Sequence, residues 1–228
     1  MLNLLRPSCA RSVLFCLLLT AAASPAKAQT SQPPTALDRQ LSHIDLGVVA
    51  VGVFNKSSNG TAIVNGAPTE VNLSPGNTAG ALVTLRYTGS PWVGVEANYS
   101  YARYTDTFTP FGTQPVGGVQ QNASEYTLGY VVHPRKKFLG WQPFVSGGAG
   151  TIVFRPTPGG GLALPEQARA AYYVSVGAET NLFSSPHFGV RALYRQVFFK
   201  APDFETNYLT IQQHTTTYEP GFGFFLRF

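Results

Sequence analysis

The sequence is short of cysteine, of charge and of long apolar runs, and each shortage excludes something. Its 228 residues include only two cysteines, Cys9 and Cys16. Both lie in the first 28 residues, so the chain beyond them has none, and a small exported fold stapled by disulfides is excluded. Charged residues make up 12% of the chain and aromatics 13%, whereas a soluble globular domain is about one quarter charged. Beyond the N-terminal segment no apolar run reaches the length of about 18 residues expected of a membrane-crossing helix. No useful stretch with a helical period of 3.6 appears either.

The excess of basic residues is partly a property of the N-terminus. Arg6, Arg11 and Lys27 are three of the 16 basic residues, and no acid accompanies them in residues 1–28. The remaining 13 basic residues face 11 acidic ones, a net charge of +2. That balance carries no nucleic-acid footprint. Arg6 and Arg11 precede the apolar run from Val13 to Ala23, and Ala26-Lys27-Ala28 has the small-x-small form of a cleavage site. Residues 1–28 therefore read as a secretory signal peptide, with a mature start at Gln29. Residues 29–43 are polar and contain proline, which suits a loose periplasmic lead-in. The remainder, 44–228, suits a single all-β domain.

What is present is alternation. Eight strand-like segments are predicted at 44–54, 78–88, 92–104, 123–133, 142–154, 168–182, 187–199 and 216–228. Their lengths match the roughly 9–11 residues a tilted strand needs to cross a bilayer. The breaks alternate between long (55–77, 105–122, 155–167, 200–215) and short, the pattern of an up-and-down membrane barrel with its long loops outside. One face of most of these strands is apolar. In the sixth, Tyr172, Val174, Val176 and Ala178 alternate with Tyr173, Ser175, Gly177 and Glu179. The first strand is less decisive, and the fifth is too rich in glycine and alanine to orient. Tyr87, Trp92, Phe183, Phe188 and Phe228 fall at the periplasmic strand ends. Tyr101, Tyr104, Tyr126, Tyr172 and Tyr218 fall at the outer ends, and the two sets form aromatic belts.

The last strand carries a further signal. Phe222, Phe224, Leu226 and Phe228 form an apolar stripe that ends on the terminal aromatic residue. With the eight-strand pattern and the glycine-rich segment Gln142–Gly150, this stripe resembles the OmpA/OmpX-type small outer-membrane β-barrels. The resemblance covers about four fifths of the chain, from Ile44 to Phe228. It implies an all-β fold, an eight-stranded antiparallel transmembrane barrel in a Gram-negative outer membrane. It implies that outer-membrane lipid and lipopolysaccharide surround the wall, and that the barrel-assembly machinery reads Phe222, Phe224, Leu226 and Phe228. It also allows the long loops to meet an extracellular ligand or host factor. Full-length OmpA continues into a peptidoglycan-binding domain, so cell-wall anchoring is not carried over.

The sharpest site expectation is the lumen. Alternation sends Arg86, Arg191, Arg195 and Arg227 inward together with Glu96, Glu125, Glu179 and Glu219. Buried charges without partners cost several kcal/mol each, so these should pair. A symmetric hairpin about Ser185 places Glu179 across from Arg191. Asp45 and Arg227 should approach where the last strand closes on the first, and inward glycines should make room for the arginines. The expected role is non-enzymatic, in envelope integrity, adhesion or host-factor contact. A narrow small-solute pore is one alternative, and a lipid acyl hydrolase built on His214, Thr216 and Glu219 is another. The four histidines show no metal-ligand spacing, and no cofactor motif is present.

Overall fold

Period-two alternation over 10 to 18 residues leaves the backbone one way to bury a polar face while exposing an apolar one, which is closure of the sheet. The computed structural model describes residues 35–64, 67–110, 117–134, 136–161, 163–183, 185–202, 204 and 214–228. The chain divides into Met1–Leu37 and Asp38–Phe228, and every strand belongs to the second unit. The sequence-predicted signal peptide lies outside the described residues. The lead-in, expected to be loose, carries a short helix, α1 (Ala36–Leu41).

Among the described residues ten strands follow: β1 (Ile44–Asn55), β2 (Ser58–Val64), β3 (Ala67–Pro75), β4 (Thr78–Tyr87), β5 (Val93–Pro110), β6 (Gly117–Val132), β7 (Gln142–Pro156), β8 (Gln167–Asn181), β9 (Phe188–Lys200) and β10 (His214–Arg227). Eight of them form an antiparallel barrel in the order β1-β4-β5-β6-β7-β8-β9-β10, with β10 pairing back onto β1. The other two, β2 and β3, form a hairpin inside the first long loop. There β3 pairs the upper part of β5, from Val71 opposite Pro110 to Pro75 opposite Asp106. On this side the wall therefore continues past the barrel rim. The long stretch 105–122 is likewise mostly strand, because β5 and β6 stay paired up to Phe108 opposite Gly117.

Outward residues include Leu46, Val48, Leu85, Val95, Leu128, Tyr130, Val145, Val174, Val176, Phe222, Phe224 and Leu226, all exposed. This is the apolar band that faces lipid. The glycine-rich β7 is oriented by its bulky members, for Phe144, Ile152 and Phe154 are buried inside and Val145 is exposed outside. One belt assignment is overturned. Tyr104 shares parity with buried Ala102 and points into the barrel, because the strand continues beyond it rather than ending there. Pro220 lies within β10 and lacks an N–H. The β1–β10 ladder breaks there, between Val51 opposite Gly221 and Phe54 opposite Tyr218, while the register with β9 runs unbroken.

The face assignment has a direct test. Val176 is exposed on β8 and its neighbour Ser175 is buried. Val176→Arg is expected to cost about 2–4 kcal/mol, the range for a basic side chain at mid-bilayer. Ser175→Arg should lose stability by overpacking, with no dependence on lipid thickness. Urea titrations in vesicles of two acyl-chain lengths measure both, and normal folding of Val176→Arg would show the face to be wrong.

Candidate functional site

The inward faces of the eight barrel strands carry a buried polar network in the short-turn half and an apolar plug in the long-loop half. In the network Arg86, Arg191, Arg195, Asp45, Glu96, Glu125, Glu179 and Glu219 are all buried. Each sits on the inward parity of its strand, where the two-residue period places it.

Glu179 is the hub at the short-turn end. It lies opposite Arg191 in the β8–β9 register and accepts from the Arg191 Nη2 at 2.9 Å. It also accepts from Arg86 Nη1 at 3.2 Å and from Arg227 Nη2 at 3.2 Å. Arg86 in turn holds Glu96 at 2.8 Å, and Arg191 holds Asp45 at 2.9 Å. Asp45 and Arg227 face each other in the β1–β10 register, yet each is bonded elsewhere. Arg227 sits at the rim with its side chain 37% exposed and leans to Glu179, leaving Asp45 to Arg191. The expected Asp45–Arg227 approach is thus a backbone register without an ion pair.

The second cluster lies at mid-barrel. Arg195 engages Glu125 through two nitrogens, Glu219 at 2.8 Å and the Thr127 hydroxyl at 3.3 Å. Tyr173 joins the clusters, its hydroxyl donating to Glu96 at 2.8 Å while its ring lies 4.6 Å from the Arg195 guanidinium. Aromatic rings also support the other arginines. Phe144 lies 4.7 Å from Arg86, and Phe225 lies 5.1 Å from Arg191 and 5.3 Å from Arg227. A guanidinium is weakly hydrated and stacks on ring faces, so these contacts offset part of its desolvation.

Of the inward glycines, Gly177 and Gly189 make room for rings, while Gly80, Gly94 and Gly223 stand against backbone. A Cβ on Gly177 would lie 2.5 Å from the Phe144 ring. At Gly47 a Cβ would lie 2.8 Å from Arg191 Nη1. Above Arg195 the lumen turns apolar, with Val53, Ala102, Tyr104, Ile152, Phe154, Val197 and Phe199 buried. Two voids lined by described lumen residues measure about 20 Å³ between this plug and Glu219, and about 10 Å³ beside Arg86.

Sequence reasoning missed the apolar plug, although its signal was available. Val51 and Val53 share parity with Asp45, and Val197 and Phe199 share parity with Arg195. It also missed Asp106 and Gln121, bonded at 2.8 Å inside the barrel extension, because both fell in a stretch read as loop. His133, on which the sequence reading placed no role, is buried at the short-turn mouth of the barrel. The three residues of the hydrolase alternative are not brought together on one face of β10. Glu219 points into the lumen onto Arg195, while His214 and Thr216 occupy the opposite parity and His214 is exposed.

The outer membrane protein beta-barrel domain family matches residues 14–225. No curated protein sequence matches the chain. Among solved structures, OprG from Pseudomonas aeruginosa is similar with a TM-score of 0.57 at 14% identity, covering 81% of this chain and 95% of that one. Neisserial surface protein A is similar with a TM-score of 0.53 at 11% identity, covering 82% of this chain and 97% of that one. At these identities the likeness shows the fold.

Proposed function

Because the chain belongs to the outer-membrane β-barrel protein family, we propose that it is a non-enzymatic, non-conducting barrel with a structural or surface-contact role. The observation that carries the reading is the filled lumen, whose voids of about 20 and 10 Å³ hold at most one water each. Eight strands enclose an interior that side chains can fill. Here the charge network fills the lower half and the apolar plug the upper half. The network acts as a register lock, since a one-residue slip of β8 or β9 would turn Glu179 or Arg191 into lipid.

Above the rim, the β2–β3 hairpin and the upper β5–β6 pair extend the wall into the extracellular space. A β-sheet platform presents side chains at fixed spacing, which suits contact with an external ligand or host factor. Planar-bilayer recording on the purified protein tests the plug, and no steady conductance is expected. Steady conductance would overturn it and favour the narrow-pore alternative. In cells, loss of adhesion on shortening the β2–β3 hairpin would assign a surface-contact role. Increased detergent permeability in a deletion strain would assign envelope integrity.

Export follows from the same reading. Residues 1–28 are removed, so N-terminal sequencing of the membrane-embedded protein should begin at Gln29. Phe222, Phe224, Leu226 and Phe228 then serve the barrel-assembly machinery, with outer-membrane lipid and lipopolysaccharide around the finished wall. Phe228 is exposed, and its backbone N–H donates to Ile44 at 3.2 Å, so its ring adds little to the fold. Phe228→Asp should therefore reduce assembly in cells far more than refolding in detergent, as read by heat-modifiable migration on gels. Equal loss in both settings would make Phe228 a structural residue only.

A further inference from the structure

The periplasmic mouth of the barrel is a cavity of about 470 Å³ that the surface reading leaves unused. His43, His133, Lys137, Arg227, Gln142 and Asn181 are among the residues lining it. The lining acid Glu179 is already bonded to Arg86, Arg191 and Arg227, so the unspent charge of the mouth is positive.

His133 supplies the second observation. It is 8% exposed, and its Nε2 lies 3.4 Å from Arg86 Nη1. A guanidinium can only donate, so Nε2 presents its lone pair and the proton sits on Nδ1. The alternative partner for Nε2, Glu179 Oε1, is at 3.8 Å, too far for a hydrogen bond. Nδ1 is buried and has no hydrogen-bond partner among the described residues. A buried N–H left without an acceptor costs free energy that a suitable ligand recovers. Burial first, and the Arg86 guanidinium second, hold the imidazole below its ordinary pKa and so keep it in this neutral form.

We propose that this mouth binds a small oxyanion, a carboxylate or a phosphate, entering from the periplasmic side. His133 Nδ1–H donates to it, and Lys137 supplies the compensating charge. Arg227, which engages Glu179 through one nitrogen, lines the same cavity. The site stands whether or not the lumen above it conducts.

The test is nuclear magnetic resonance of the ¹⁵N-labelled intact protein in detergent micelles. Inorganic phosphate and succinate are titrated separately, with glycerol as a neutral control. Saturable shifts of the His133 ring nitrogens and the Asn181 amide are expected with the anions and none with glycerol. His133→Phe keeps the ring against Phe144, and Lys137→Ala removes an exposed side chain. Each should weaken binding by about tenfold, the loss of one charge-assisted contact, with heat-modifiable migration unchanged. A response to one anion alone supports the site and assigns its ligand class. No saturable shift with either anion, or unchanged affinity in both folded variants, would overturn it.

Discussion

Arg195→Met is expected to destabilise the barrel by about 3–5 kcal/mol, the cost of breaking a buried ion pair by removing one partner. Arg195 is held by two carboxylates, Glu125 and Glu219, and all three groups are buried. Removing the guanidinium leaves two acids side by side with their shared cation gone, beneath a ceiling formed by Val53, Ala102, Ile152, Val197 and Phe199. The same apolar ceiling makes rescue feasible. In the triple variant Arg195→Met, Glu125→Leu, Glu219→Leu no charge is stranded, and buried ion triads replaced by apolar groups of similar volume are often neutral or stabilising. Urea unfolding in vesicles should find the triple variant at least as stable as the single one. A loss below about 1 kcal/mol for Arg195→Met, the level of an exposed pair, would show that Arg195 is solvated and the plug is open.

Glu179→Gln should have the next largest effect, about 3 kcal/mol. It lies at the low end of that range because Arg86 keeps Glu96 and Arg191 keeps Asp45. The Glu179–Arg191 pair taken alone suggests that removing both partners restores stability. The network forbids that. Arg191 is also the partner of Asp45, so Glu179→Leu with Arg191→Met strands a buried aspartate. The double variant should be no more stable than Glu179→Gln, and adding Asp45→Asn should recover most of the loss. A double variant as stable as the unaltered protein would reduce the network to independent pairs.

These two predictions separate local from global information. The Glu179–Arg191 pairing can be counted from the sequence, since both residues lie six positions from the hairpin centre near Ser185 on strands whose faces are already assigned. The Asp45–Arg227 register can be read in the same way, from strand ends that must meet on closure. Neither count says which carboxylate a guanidinium chooses. Arg191 reaches an aspartate 146 residues away, and Tyr173 reaches a glutamate 77 residues away. Such partners are set by which strands face one another across the lumen and at what height, and strand tilt and stagger decide that.

Strand number within the membrane, the lipid-facing stripe and the inward parity of each charge follow from composition and a two-residue period, because the bilayer demands a closed sheet with an apolar exterior. The sequence by itself determined those. It left open what fills the outer half of the lumen. A valine on the inward parity of β1 looks the same whether it meets water or another valine, and only closure brings Val53 beneath Phe199 and Tyr104. It also left open the β2–β3 hairpin, whose polar residues read as loop until β5 offers them a free edge to pair with. The orientation of His133 belongs with these. Its Nδ1 is left without a partner among the described residues because Arg86, from a strand distant in sequence, occupies the other side of the ring. Tertiary structure decided such features because their partners lie on elements distant in sequence, and closure alone brings those elements together.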